Sequence, residues 1–77
     1  MNDPELVDKL IEDIPELASV QEVAELLRVR EVSISKWIRQ GHLKALRAGK
    51  RVVRIPKDQL RDFLIAADNM EDINEKD

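Results

Sequence analysis

Between Ser19 and Gly41 the chain is punctuated as two short helices with three residues between them. Ser19 and Glu22 have the spacing of a capping box, in which each side chain satisfies a backbone donor of the other. Val23, Ala24, Leu26 and Leu27 follow with the spacing of a buried helix face. Arg28, Val29 and Arg30 read as a turn. A further helix over residues 31–40 then places Ile34, Trp37 and Ile38 on one side. Gly41 comes just after the last periodic residue, where a left-handed helix end favours a residue without Cβ. Two short helices across so short a turn predict a helix-turn-helix.

The period changes after Gly41. Residues 46–48 and 52–55 are short β-prone runs separated by Gly49, Lys50 and Arg51, which predicts a hairpin with Gly49 at a positive φ. Pro56 opens a last helix in which Leu60, Phe63, Leu64 and Ala67 are spaced for burial. Upstream, Asn2 or Asp3 before Pro4 marks a helix start. Leu6, Leu10 and Ile14 recur every fourth residue, with Val7 and Ile11 beside them, while Glu5, Asp8, Glu12 and Asp13 face elsewhere. Pro15 closes this segment, and residues 4–13 are expected as a short amphipathic helix. From Asp68 onward the chain is acidic and thinly apolar, so that tail is expected to be disordered. The expected fold is mainly α with a small β-hairpin, a winged helix-turn-helix carrying an extra N-terminal helix. Its expected parts are an acidic helix in residues 1–15, the winged domain in 16–67 and an acidic tail in 68–77.

Charge divides the chain into three blocks of its own. Residues 28–61 hold eleven basic side chains against Glu31 and Asp58, a net of +9. Residues 1–27 carry -7 and residues 62–77 carry -5, so a formal net charge of -3 conceals a strongly basic centre. Such a centre fits a polyanion-binding surface.

At 100° per residue, Val32, Ser35, Lys36 and Arg39 centre on the direction opposite Ile34, Trp37 and Ile38. A methyl-bearing side chain, a hydroxyl and two cations are groups that can read a major groove. The candidate groove-facing residues are Val32, Ser33, Ser35, Lys36 and Arg39. Arg47, Lys50, Arg51 and Arg54 cluster around the hairpin turn, placed to reach phosphate or an adjacent minor groove. Arg28 and Arg30 in the turn are further candidates for backbone contact. Each feature taken alone also fits an ordinary solvated surface; their juxtaposition points to double-stranded DNA.

Other chemistries find no support. The 77 residues contain no cysteine, which removes disulfides and thiolate metal sites, and His42 is the single histidine. His42 has no partners arranged for catalysis, and a phosphate or backbone contact is the expectation for it. Glu12 and Asp13 are expected on an exposed acidic face. Neither a phosphate-cradling glycine loop nor a nucleophile with a base is present, so no enzyme, cofactor or metal is expected. Two aromatic residues, Trp37 and Phe63, are too few for a base-stacking platform. No apolar run approaches the roughly 20 residues that span a bilayer, and no cleavable signal is evident. A soluble cytoplasmic domain without membrane contact is expected.

Residues 17–29 (LASVQEVAELLRV), 34–43 (ISKWIRQGHL) and 53–64 (VRIPKDQLRDFL) together resemble the excisionase family, small DNA-binding proteins related to mercury-resistance-type (MerR) regulators. The resemblance covers about two thirds of the chain. It implies groove contacts at Val32, Ser35, Lys36 and Arg39 and wing contacts at Lys50 and Arg51. It also implies a recombination directionality factor, which binds and bends an attachment site, often as several copies side by side, and biases a partner integrase toward excision. Many relatives carry glycine where this chain has Arg28 and a small polar residue where it has Val32. The acidic helix and tail lie outside the family core. Two other functions fit the same residues: a small transcriptional regulator, or a protein-interaction module acting through the acidic helix.

Overall fold

A computed structural model describes residues 1–67; the tail expected to be disordered lies outside the described residues. The element order is α1 (Pro4–Leu10), β1 (Leu17–Ala18), α2 (Val20–Leu27), α3 (Glu31–Arg39), β2 (Leu46–Ala48), β3 (Val52–Pro56) and α4 (Lys57–Ala66). Three antiparallel strands in the order β1-β3-β2 form a small sheet against the helices. The architecture is a winged helix-turn-helix, mainly helical.

Both helices of the central motif end in the same way. The Val29 N–H donates to the Ala24 carbonyl at 3.0 Å and the Arg28 N–H to Glu25 at 3.3 Å, closing α2 with a left-handed residue at Arg28 (φ 61°). At the end of α3, His42 N–H donates to Trp37 at 2.9 Å and Gly41 N–H to Ile38 at 3.0 Å, with Gly41 at φ 84°. Each is a Schellman closure. Glycine meets that geometry at Gly41, but Arg28 meets it with a Cβ, at a steric cost of about 1–2 kcal/mol. A glycine at this position would take the same φ without that cost. Because glycine also loses more chain entropy on folding, Arg28→Gly should stabilise the domain by a net of about 0.5–1 kcal/mol. That appears as a melting temperature about 2–8 °C higher in a circular dichroism scan.

The capping box of α2 is complete: Glu22 N–H donates to Ser19 Oγ at 3.0 Å, and Ser19 N–H to Glu22 Oε1 at 2.8 Å. Ile34, Trp37, Leu43, Ile55, Leu60 and Phe63 are buried together, with Ala18, Val23 and Ala24 beside them. Trp37 and Phe63 hold α3 to α4 through tilted rings whose centroids are 5.3 Å apart.

The N-terminal helix differs from the sequence expectation. It ends at Leu10 rather than residue 13, and of the expected apolar stripe Val7 and Ile11 are buried, 5% and 2% exposed, and Ile14 is half-buried. Leu6 is 67% exposed and Leu10 45%. The reason lies in α4. Facing Val7 and Ile11 inward turns Asp8 toward Arg61, whose Nε donates to Asp8 Oδ1 at 2.7 Å. Asn2 donates from its backbone N–H to the Ile65 carbonyl at 2.7 Å and from Nδ2 to Leu64 at 2.6 Å, satisfying carbonyls in the last turn of α4. Lys57 Nζ reaches the Glu12 carbonyl at 3.1 Å, and Lys57 N–H reaches Glu16 at 2.8 Å. The N-terminal segment thus shares the core of the winged domain.

The hairpin forms as expected, extended by one residue to Pro56. The strand β1 is an addition: Leu17 pairs with Pro56 and Ala18 with Ile55. Two residues are too few to show an alternating pattern, and only β3 gives them a partner.

Candidate nucleic-acid interface

The cap at Ser19 and the closure at Gly41 set the length and phase of the helix pair, and Trp37 fixes which side of α3 turns inward. Ile34 and Trp37 are buried, so the opposite side carries Val32, Ser35, Lys36 and Arg39, all exposed. Val32 is 58% exposed. Ser33 is the exception among the helix candidates. It lies at the edge of the inward side, is 6% exposed, and cannot share the surface offered by its neighbours.

The wing brings the second group of cations. Gly49 takes φ 67° at the first residue of a three-residue connection, which leaves Lys50 and Arg51 exposed at the tip. Arg47 lies opposite Val53 and Arg54 opposite Leu46, so pleating places the two arginines on opposite faces of the hairpin. Arg54 folds back, its Nη1 donating to the Val53 carbonyl at 2.9 Å. Arg47 remains exposed.

Arg28 and Arg30 flank the start of α3 and are exposed. The Arg30 carbonyl accepts from Ser33 and Ile34, making it the cap residue of α3. Lys44, exposed between α3 and β2, is a cation the sequence reading left out; the charge run around it was the available signal.

Two members of the basic block point elsewhere. Arg61 is paired with Asp8, whose hydrogen bond and charge push the guanidinium above its ordinary value. Lys57 is turned to the Glu12 carbonyl. The acidic segment therefore engages the far end of the basic block and leaves α3 and the wing uncovered. Both side chains of the Asp8–Arg61 pair are substantially exposed, so its contribution to stability is small.

Among the described residues, no group of three or more His, Cys, Asp or Glu side chains is placed to hold a metal ion, and no helix is long and apolar enough to cross a membrane. His42 is exposed and tied to α3 by its backbone N–H alone.

The chain matches the helix-turn-helix domain family over residues 19–67, the stretch from the capping serine to the end of α4. It is also 36% identical over 51 residues to the excisionase of Mycobacterium phage D29, a match spanning 66% of this chain and 91% of that protein. This chain belongs to the excisionase-like helix-turn-helix family. No solved structure shows significant similarity to it. The family region contains α2, α3, the wing and α4 but excludes α1, although the N-terminal segment supplies Val7 and Ile11 to the core here. In this member, then, the family's helix-turn-helix carries an N-terminal brace.

Proposed function

We propose that this protein is an architectural DNA-binding protein of the excisionase type. It binds duplex DNA sequence-specifically, bends an attachment site and directs a partner integrase toward excision, with several copies able to bind side by side. The observation that carries the reading is a pair of exposed sets of groups. Val32, Ser35, Lys36 and Arg39 stand on one exposed helix face, and Lys50 and Arg51 stand exposed at the wing tip. A helix of this kind fits the major groove, whose base edges present the acceptors that Arg and Lys seek and the thymine methyl that a valine can touch. The wing tip has the charge to follow the backbone or enter the adjacent minor groove. Similarity to a phage excisionase supplies the biological setting.

In this reading Lys36 and Arg39 read bases or fix register on α3. Lys50 and Arg51 neutralise phosphate, with Arg47, Arg54, Arg28 and Arg30 as flanking contacts. Ser33 has no contact role, because it is buried.

Fluorescence anisotropy with duplexes from a candidate attachment region tests this. Arg39→Ala or Lys36→Ala should weaken the specific site by about 1–3 kcal/mol while barely affecting random DNA, so discrimination narrows. Arg51→Ala should weaken all duplexes alike and lower the salt slope by about one. Parental affinity in all three variants would remove DNA binding by this face. A circularly permuted probe whose mobility is independent of site position would leave DNA binding standing and remove bending. Excision unchanged by the protein in a reaction with the integrase would remove the directing role.

A further inference from the structure

The four-residue repeat of leucine and isoleucine near the N-terminus is only partly used by the fold. Leu10 and the half-buried Ile14, with exposed Pro15, line one side of a shallow groove whose other side is the half-buried Leu26 of α2. The remaining lining residues are Asp13, Glu22 and Glu25, all exposed acids. Leu6 continues the apolar strip one turn earlier along α1. The floor of the groove is apolar and its rim carries one sign of charge.

Charge decides what can fill it. Duplex DNA is excluded, since phosphates would face three carboxylates. The chain's own residues 68–77 are excluded for the same reason, because their sequence is strongly acidic. Apart from Lys9 and Lys44, the exposed cations of a second copy lie on α3, the turn before it and the wing, the surface assigned above to DNA; in this one respect the inference rests on the proposed function. The occupant must therefore bring its own positive charge and its own apolar side chains.

We infer that the groove between α1 and α2 is a docking site for a cationic amphipathic helix of a partner protein. Leucine-like side chains of that helix lie on Leu10, Ile14 and Leu26, and its lysines or arginines lie against Asp13, Glu22 and Glu25. The docking surface is separate from α3 and the wing tip, so the protein can hold DNA and the partner helix together.

The probe is a synthetic Leu/Lys peptide patterned as an amphipathic helix, with a Leu/Glu peptide of the same pattern as control. Both are titrated into the ¹⁵N-labelled full chain. The Leu/Lys peptide should shift the amide signals of Leu10, Ile14, Glu22, Glu25 and Leu26, and the Leu/Glu peptide should shift none. Glu25→Lys should weaken the Leu/Lys peptide about tenfold. Leu10→Asp is the decisive variant: it removes an exposed apolar contact and adds an acid, so true docking weakens about tenfold whereas mere electrostatic adhesion tightens. Circular dichroism confirms that each variant folds. Unchanged or tighter binding by Leu10→Asp, or shifts mapping to another face, overturns the inference. Sedimentation showing self-association that Leu10→Asp abolishes would make a second copy the occupant and also overturn it. Affinity for DNA is measured on the same samples and should be unaltered in Leu10→Asp. In the parent chain, absent Leu/Lys peptide binding with intact DNA binding defeats this inference alone, and absent DNA binding with intact peptide binding defeats the proposed function alone.

Discussion

Ile11→Ala should lower the melting temperature by at least about 10 °C, and removal of residues 1–15 should abolish the cooperative transition altogether. Ile11 is 2% exposed in the common core, and truncating a buried isoleucine costs about 2–5 kcal/mol, because the surroundings close only part of the cavity. At roughly 0.05–0.15 kcal/mol per residue, a chain this small has a total stability on the order of 4–12 kcal/mol. One core side chain is therefore a large fraction of the whole, and at this size each kcal/mol shifts the melting point by about 4–8 °C. The deletion removes more: Val7 and Ile11 leave the core, and the carbonyls of Leu64 and Ile65 lose the Asn2 donors. Leu6→Ala is the internal control. Leu6 sits on the same helix with the same hydrophobicity but is exposed, so its loss should stay within about 0.5 kcal/mol. Thermal scans by circular dichroism separate the outcomes. A truncated protein that melts like the parent would show α1 to be an ornament on the family core, which begins at residue 19.

Affinity for DNA should fall by about three to four orders of magnitude between 50 and 200 mM salt. Each phosphate neutralised releases counterions and contributes about -0.9 to the slope of log K against log salt, and six to eight contacts give a drop of that size. The prediction runs against the global charge of -3. It rests on the position of the cations: Arg28, Arg30, Lys36, Arg39, Arg47, Lys50, Arg51 and Arg54 are all exposed. Lys57 and Arg61 belong to the same basic block but are held by the N-terminal segment, through the Glu12 carbonyl and Asp8. Arg61→Gln should consequently leave the salt slope unchanged, while Arg51→Ala lowers it by about one. Anisotropy titrations across that salt range measure both. A flat response would eliminate an electrostatic interface, and a slope that responds to Arg61 as strongly as to Arg51 would relocate it.

Ser33 and the acidic helix show where sequence reading stops. A helical wheel puts Ser33 at the border between buried and exposed sides, and the folded chain leaves it 6% exposed. For α1, the wheel permits two neighbouring apolar pairs, Leu6 with Leu10 and Val7 with Ile11. Hydrophobicity cannot choose between them. The choice came from tertiary packing, which puts Val7 and Ile11 in one buried cluster with Leu60, Phe63 and Leu64 of α4 and leaves Leu6 and Leu10 exposed.

What the sequence alone determined is local. The capping box at Ser19, the left-handed closure at Gly41, the hairpin around Gly49 and the basic outer face of α3 all depend on residues within a few positions of one another. Their physical causes, backbone donors, steric freedom at Cα and helical period, can be read without a fold. The tertiary structure alone decided which side of α1 is buried, that Leu17 and Ala18 form a strand, and that Arg61 turns from the basic face to Asp8. Those outcomes join residues about 40 to 60 positions apart. No periodic signal spans such separations, because the partner that selects each arrangement exists only once the chain has closed on itself.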